Sequence, residues 1–203
     1  MDSGDDVLPA DSKLEPPTRF AEPFAVHVYS LDGKERKRVA RSLQGRFGGV
    51  GMIAIPRALL RTELKGIKLG NEDRPGMIVL CHYNEGRVLL TDQDGMYNDF
   101  ILEACRVTGG NVFVALAPVT TSATVLANER LVTALAYTGG QQGLLSIHLQ
   151  QRFLTWGKTP NETQLQIMLK AMRGEIAALE VPASVLEYSG QRRWTSTSFC
   201  NLL

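Results

Sequence analysis

The sequence predicts an α+β fold: one domain with a flexible tail at each end. Helical and strand patterns alternate along the chain without the regular spacing of repeated β-α-β units. The turn signal Asn84-Glu85-Gly86 separates two apolar runs and predicts a β-hairpin. No internal repeat of fixed period is present. We therefore expect short mixed strands, including a hairpin of residues 77–83 and 87–91, and about five helices within residues 24–190, flanked by an arm of residues 1–23 and a tail of residues 191–203.

The first predicted elements are a strand and a basic amphipathic helix. Residues 24–31 alternate apolar with small or polar side chains, as in a strand, and a turn signal follows them. In residues 34–47, Val39, Leu43 and Phe47 recur at helical spacing on one face. Because these apolar residues occupy one face, the charged side chains of the helix are expected on the other face. Glycines end the helix.

The same periodicities predict the elements that follow. In the last helix Thr159 is the expected cap, Pro160 occupies the first helical position, and Glu162 completes a capping box. Residues 144–156 alternate as a strand, although Leu144, His148 and Arg152 would also share a helical stripe. The predicted elements are a strand at residues 52–55, a helix at 56–68 beginning at Pro56, a helix at 96–107, a strand at 111–119, a helix at 120–137, a strand at 144–156 and a helix from 160 to 180.

Composition excludes several classes of protein. The chain has 203 residues, 44% hydrophobic and 21% charged, as expected for a globular protein with a proper core. No apolar run approaches the roughly 20 residues that a membrane-spanning helix needs. Cys81, Cys105 and Cys200 are odd in number and lack metal-ligand spacing, which argues against a disulfide framework. We expect a reducing compartment, with the cytoplasm as the default, and association with a membrane surface or the nucleus as variants.

The most informative feature is a concentration of positive charge in residues 31–68. Ten Lys and Arg residues against three acidic residues give this segment a charge of +7, while the whole chain carries +1. The run Lys34-Glu35-Arg36-Lys37-Arg38 is typical of nuclear-import or nucleic-acid patches. We expect these side chains to converge on one exposed face that binds an anionic partner. The predicted anion-binding residues are Lys34, Arg36, Lys37, Arg38, Arg41, Arg57, Arg61 and Lys65.

The two tails suggest further interactions. Residues 1–23 have a net charge of −4 and four prolines, so they are predicted to be a flexible arm that either masks the basic region or is only a solvated tail. In the C-terminal tail, Cys200 lies fourth from the end of a chain that finishes in Leu. This is the geometry of a geranylgeranyl acceptor, although Asn201 is a poor aliphatic substitute. Arg192, Arg193 and Trp194 suit an interfacial membrane segment. The alternative, which we favour, is a polar tail with a buried or idle thiol.

Catalytic signals are weak. Cys81 and His82 are adjacent in a predicted strand, so they point to opposite faces and do not form a nucleophile–base pair. Asp92, Asp94 and Asp99 surround a turn, and paired carboxylates can bind a divalent metal or act in acid–base chemistry. Asp-x-Asp-Gly is also the pattern of an ordinary turn, which we favour. An enzyme would have Asp92, Asp94, His82 and Cys81 as its only candidate residues. The glycine-rich residues 45–51 follow a helix and precede a strand, the reverse of a phosphate-binding loop. We predict no catalytic residues, no metal site and no cofactor.

These observations favour a non-enzymatic binding and assembly protein. Its expected partners are nucleic acid or a ribonucleoprotein, an anionic membrane surface, and further copies of itself. Viral matrix-type proteins share this general character, but no motif carries a resemblance to that class. Two alternatives remain open: a small metal-dependent hydrolase or nucleotide-processing enzyme, and a protein–protein adaptor.

Overall fold

A five-stranded sheet, parallel throughout the described residues, organises the protein. The computed structural model describes residues 19–70, 75–83, 97–138 and 142–180. The strands lie in the order β2-β1-β3-β4-β5. The elements are β1 (Phe24–Ser30), α1 (Gly33–Phe47), β2 (Met52–Ala58), β3 (Met77–Tyr83), α2 (Asn98–Thr108), β4 (Val112–Ala117), α3 (Glu129–Thr138), α4 (Gln142–Leu149), β5 (Phe153–Thr155) and α5 (Glu162–Met172), with 3₁₀ turns at Gly48–Val50 and Arg61–Glu63.

The prediction of an α+β fold with a hairpin is wrong, because the described strands form an α/β sheet. Over Ile78–Leu80 both edges of β3 are already occupied, by β1 on one side and β4 on the other. A hairpin partner cannot pair there, and the proposed second strand, residues 87–91, lies outside the described residues. The run Met77–Tyr83 is almost continuously buried, which is the pattern of a central parallel strand covered on both faces.

Helices cover both faces of the sheet and divide the core into two layers. Val39, Leu43 and Phe47 of α1 pack with apolar residues of α5 on one face, as their helical spacing predicted. Residues of α2, α3 and α4 pack on the opposite face. Successive strand residues alternate between the two layers, so each strand contributes to both. We call these the α1–α5 face and the α2–α4 face.

The predicted helix at residues 56–68 is also wrong. Pro56 lies inside β2, one of the two edge strands of the described sheet, where it pairs in register with Val28. The chain then forms only a 3₁₀ turn at Arg61–Glu63 before an irregular segment. The leucines whose spacing suggested a helix anchor this irregular segment instead, because Leu59 and Leu64 are buried in the α2–α4 face.

Four other predictions differ from the structure. Residues 144–156 are not one strand: α4 ends at Leu149 and β5 follows at Phe153. Residues 120–128 are not helical, and α3 begins only at Glu129. The cap of α5 is Asn161 rather than Thr159, and its capping-box partner is Gln164 rather than Glu162. The helix ends at Met172, well before residue 180. Periodicity located these regions but could not distinguish their local geometry.

The β2 edge of the sheet is closed by a side chain of α1. Gln44 accepts a hydrogen bond from the Ala54 N–H at 2.8 Å and donates one to the Met52 carbonyl at 3.2 Å. Its amide therefore takes the place of a neighbouring strand. Pro56, two residues further on, has no N–H to offer at the same edge. These features oppose the addition of another strand here.

The β5 edge is closed in a similar way. The Thr155 N–H donates to the Leu126 carbonyl at 3.2 Å. The Thr155 carbonyl accepts from the amide of Gln164, which is fully buried and also completes the capping box of α5. Because both edge strands already have hydrogen-bond partners, the sheet edges are poor binding surfaces. The basic helix and the loops are therefore the candidates for a functional site.

Candidate functional site

The outer surface of α1 carries a row of exposed cations. The Asp32 carboxylate accepts a hydrogen bond from the Glu35 N–H at 2.6 Å and caps the start of the helix. The apolar side of α1 is buried against the sheet, so its other side faces solvent. Lys34, Lys37 and Arg41 are all exposed there. They are spaced at i, i+3 and i+7 and span about 10.5 Å along the helix axis. We call these three residues the α1 row.

Two other cations of α1 are matched by carboxylates of the protein itself. Arg38 makes a bidentate contact with the buried Glu35, at 2.7 and 2.9 Å. Arg46 contacts Glu162 of α5 at 2.6 Å. Arg36 is half-buried rather than exposed. The predicted cluster on α1 therefore reduces to the α1 row.

The α1 row has no such partner. Within the described ranges, no carboxylate lies within ion-pair distance of Lys34, Lys37 or Arg41. Arg41 donates one hydrogen bond, to the backbone carbonyl of Lys37 at 3.3 Å, which leaves most of its guanidinium donors directed at solvent. The row is therefore a compact group of three positive charges available to an external anion.

The structure places the other predicted cations elsewhere. Arg57 lies on β2 and lines a cavity on the α2–α4 face. Arg61 and Lys65 are exposed in the irregular segment after β2, whose leucines are buried in that same face. The sheet lies between Arg57 and the α1 row. The eight predicted anion-binding residues thus do not share one surface.

The segment after β2 is fastened to α2 by acidic side chains. The Gly66 N–H donates to Asp99 at 2.8 Å, and the Leu69 N–H donates to Glu103 at 2.9 Å. Arg106 makes a bidentate contact with Glu103, with both distances at 2.8 Å. The hydrogen bond from Arg106 holds the pKa of the buried Glu103 carboxyl below its usual value. These contacts fix the segment as one wall of the cavity that Arg57 lines.

Sequence reasoning missed this cavity, whose volume is about 610 Å³. The alternation of β1 was a usable signal, because it places His27 and Tyr29 on one face together with Arg57 of the neighbouring strand. No local pattern could show that residues 59–69 fold over them. The lining residues are His27, Tyr29, Arg57, Ala58, Glu63, Ile67, Lys68, Leu69, Gly70, Pro75, Ile78 and Val107.

The structure separates the residues considered for catalysis. Cys81 lies in the α1–α5 core and His82 on the opposite face, as predicted. The Nδ1 of His82 lies 3.0 Å from the Tyr97 hydroxyl, while its buried Nε2 has no hydrogen-bond partner among the described residues. Burial lowers the pKa of His82 to about 4. Burial, followed by the charge of Glu35, raises the pKa of the Cys81 thiol well above its usual value.

The residues predicted for metal or membrane binding lie partly within the described ranges and partly outside them. Asp92 and Asp94 lie outside the described residues, while Asp99 is engaged with the backbone of Gly66. No group of three His, Cys, Asp or Glu side chains in the described ranges is arranged to hold a metal ion. None of the helices in those ranges is long and apolar enough to cross a bilayer. Residues 1–18 of the predicted arm and the tail residues Arg192, Arg193, Trp194 and Cys200 lie outside the described residues.

Comparison with known proteins adds no functional assignment. No protein-family model, no curated protein and no solved structure matches this chain. The geometry of the chain itself is therefore the basis for a functional proposal.

Proposed function

We propose that this protein is a non-enzymatic binding and assembly protein, and that the α1 row contacts the phosphate backbone of a nucleic acid, free or within a ribonucleoprotein. The observation that carries the proposal is the absence of any described carboxylate beside Lys34, Lys37 and Arg41, whereas the neighbouring Arg38 and Arg46 are paired. Phosphate oxygens are natural acceptors for such side chains.

The geometry favours contact with the backbone over recognition of bases. Base stacking needs exposed aromatic rings, but Phe47 of the basic segment and Tyr29, which precedes it, are only 5% and 8% exposed. The cationic side of α1 therefore offers charge without a stacking platform. Binding should be independent of sequence and sensitive to salt.

An anionic membrane is the principal competing partner. The apolar side of α1 is occupied by the core, so the helix could meet a membrane only through its charges, each contributing about 1 kcal/mol near an anionic leaflet. A phosphate polymer needs no apolar insertion, and for this reason we favour it. The described cysteines, Cys81 and Cys105, are free thiols, which suits the cytoplasm or the nucleus.

Neutralising the row tests the proposal. We expect Lys34→Gln/Lys37→Gln/Arg41→Gln to weaken binding to single-stranded RNA at least tenfold, measured by fluorescence anisotropy at low salt, because three phosphate contacts are lost. The matched control is Arg61→Gln/Lys65→Gln/Arg130→Gln, which removes the same charge from three exposed residues elsewhere.

The control decides between a site and simple net charge. An unchanged affinity in the control supports the α1 row, whereas equal losses in both variants would refute it. Sedimentation with vesicles containing phosphatidylserine is measured in parallel. If the row variant loses vesicle binding while RNA binding was never detectable, the anionic partner is a membrane rather than a nucleic acid.

A further inference from the structure

The connection between β5 and α5 presents one threonine to solvent. Its two ends are anchored, because Trp156 and Pro160 are both buried. Asn161 adds a further anchor, since its side-chain amide donates to two backbone carbonyls of the loop after β4, both at 2.9 Å. Between these anchors the chain is neither helix nor strand, and Thr159 is exposed. Its hydroxyl makes no hydrogen bond within the part of the chain that the structure describes.

The sequence at this position is that of a kinase acceptor. Thr159 is the only Ser or Thr in the chain that is followed directly by a proline. A proline at that position is the main recognition element of proline-directed protein kinases. It also biases the preceding residue towards extended backbone, the conformation in which kinases bind their substrates. The exposed hydroxyl of Thr159 therefore combines the local sequence and the accessibility that phosphorylation requires.

Two contacts place this connection against α1. The Arg38 guanidinium lies 3.5 Å from the Gly157 carbonyl. Eight residues further along the helix, about 12 Å, Arg46 contacts Glu162 at 2.6 Å. Thr159 lies between the two contacts in the chain. The connection therefore follows the surface of α1, and Thr159 is held beside that helix.

The α1 row borders this line of contact. Lys34 and Arg41 are four residues before and three residues after Arg38, and side chains at these spacings are neighbours on a helix. Thr159 is two residues from Gly157, at most about 7 Å of chain. A phosphate on Thr159 would add a charge of about −1.5 to −2. It would act on the row over a distance comparable with the Debye length, about 10 Å at 0.1 M salt, and so offset much of the row's positive charge.

We propose that Thr159 is a phosphorylation site for a proline-directed protein kinase, and that its phosphate weakens the binding of nucleic acid to the α1 row. In the reaction, Oγ1 of Thr159 bonds to the γ-phosphorus of a nucleoside triphosphate. The bond from that phosphorus to the β–γ bridging oxygen breaks, the nucleoside diphosphate leaves, and the hydroxyl proton passes to the catalytic carboxylate of the kinase. The modification is independent of the function proposed above, whereas its effect on nucleic acid rests on that function.

Phosphorylation of the folded protein tests the first part. A purified proline-directed kinase with ATP should add one phosphate per chain, and mass spectrometry should locate it at Thr159. Thr159→Val should receive none. The peptide of residues 155–163 is the positive control for the kinase. Phosphorylation of the peptide but not of the folded protein would overturn the proposal, because Thr159 would then be inaccessible, and so would a lack of phosphate in both.

The affinity for single-stranded RNA tests the second part. Phosphorylation should weaken binding about fivefold to tenfold at low salt, because the phosphate offsets charge at the row. Thr159→Glu should weaken it about twofold to threefold, since it adds only one charge. Thr62→Glu is the matched control, because Thr62 is exposed in the segment after β2, and its affinity should be unchanged. Equal losses in the two Glu variants, or an unchanged affinity after phosphorylation, would overturn the regulatory effect.

A measurement without RNA separates this regulation from the function proposed above. Nearby cations favour the dianion of phosphothreonine, so its second pKa, measured by phosphorus NMR, should be lower in the folded protein than in the phosphorylated peptide. Lys158 is present in both, so a difference reports the fold.

The variant Lys34→Gln/Lys37→Gln/Arg41→Gln should reduce this difference in pKa. If it does while the unmodified protein binds no RNA, the proposed function is wrong and the position of the phosphate beside the row stands. Equal pKa values in the folded protein and the peptide would show that the phosphate does not meet the row, and would overturn the regulatory effect.

Discussion

The two halves of the basic segment, residues 31–68, take different positions in the fold. Residues 33–47 hold six cations and one acid, and residues 57–68 hold four cations and one acid, so both are net positive. The first half forms one long helix on which the α1 row faces solvent without a described carboxylate beside it. The second half enters the edge strand and then a segment fastened to α2, where Arg57, Glu63 and Lys68 border a cavity. Local charge alone therefore does not define a surface, because secondary structure decides where each charge points.

Acidification should destabilise the protein through a group on the α2–α4 face, on the side of the sheet opposite the α1 row. The folded protein holds the pKa of His82 at about 4 on the α2–α4 face, while the unfolded chain has the ordinary value of 6.5. Protonation therefore favours unfolding, and stability that is fully present above pH 6.5 is lost as the pH falls towards 4. The loss from this group is roughly 3 kcal/mol at pH 4.

Urea unfolding at a series of pH values measures this effect. His82→Gln should flatten the stability profile between pH 6.5 and 4. The affinity at the α1 row, on the other face of the sheet, should not follow the His82 profile. An identical pH dependence in the wild-type and variant proteins would show that His82 is not the group responsible.

The second largest loss of stability is expected from removing Glu103, which fastens the second half of the basic segment to α2. Glu103→Ala deletes the buried acceptor of the Leu69 N–H and the partner of Arg106. We expect a loss of about 2 kcal/mol in the free energy of unfolding.

The matched control for this change is Glu63→Ala. Glu63 is exposed in the same segment, and its loss should change stability by less than about 0.5 kcal/mol. RNA binding at the α1 row should be unaffected by Glu103→Ala. A folded Glu103→Ala protein with wild-type stability would mean that this carboxylate does not anchor the segment.

The variant with the smallest expected effect on stability should increase RNA binding by the first half of the basic segment. Glu35→Gln removes the carboxylate that holds Arg38, at a cost of about 1 kcal/mol, and releases a fourth cation beside the α1 row. The affinity for RNA should rise and its salt dependence should steepen by a slope of about 0.7. Glu63→Gln changes the net charge equally and should do neither. If both variants behave alike, the gain reflects net charge rather than the release of Arg38.

Some local elements were predictable from the sequence, and their arrangement was not. The strand at residue 24, the helix through Val39 and Leu43, and the strand before Ala117 follow directly from periodicity. Parallel pairing depends on contacts between segments that are distant in sequence, such as β1 with β3, and turn residues near Tyr83 suggested a hairpin instead. The near-continuous burial expected of residues 77–83 was the available signal for a central parallel strand.

The site shows the same limit. Glu35 and Arg38 have the i, i+3 spacing at which side chains on a helix are neighbours, so their ion pair could be anticipated from the sequence. The pairing of Arg46 with Glu162, 116 residues away, could not. Pro56 suits both the start of a helix and an edge strand, so its local sequence did not decide between them.

The central claim is that the α1 row, and not the second half of the basic stretch, supplies the phosphate contacts. The most direct measurement is the slope of log K against log salt concentration for single-stranded RNA. Three contacts predict a slope of about −2 in the wild-type protein and in Arg61→Gln/Lys65→Gln/Arg130→Gln, and a slope near zero in Lys34→Gln/Lys37→Gln/Arg41→Gln. A slope that stays near −2 in the row variant would contradict the claim.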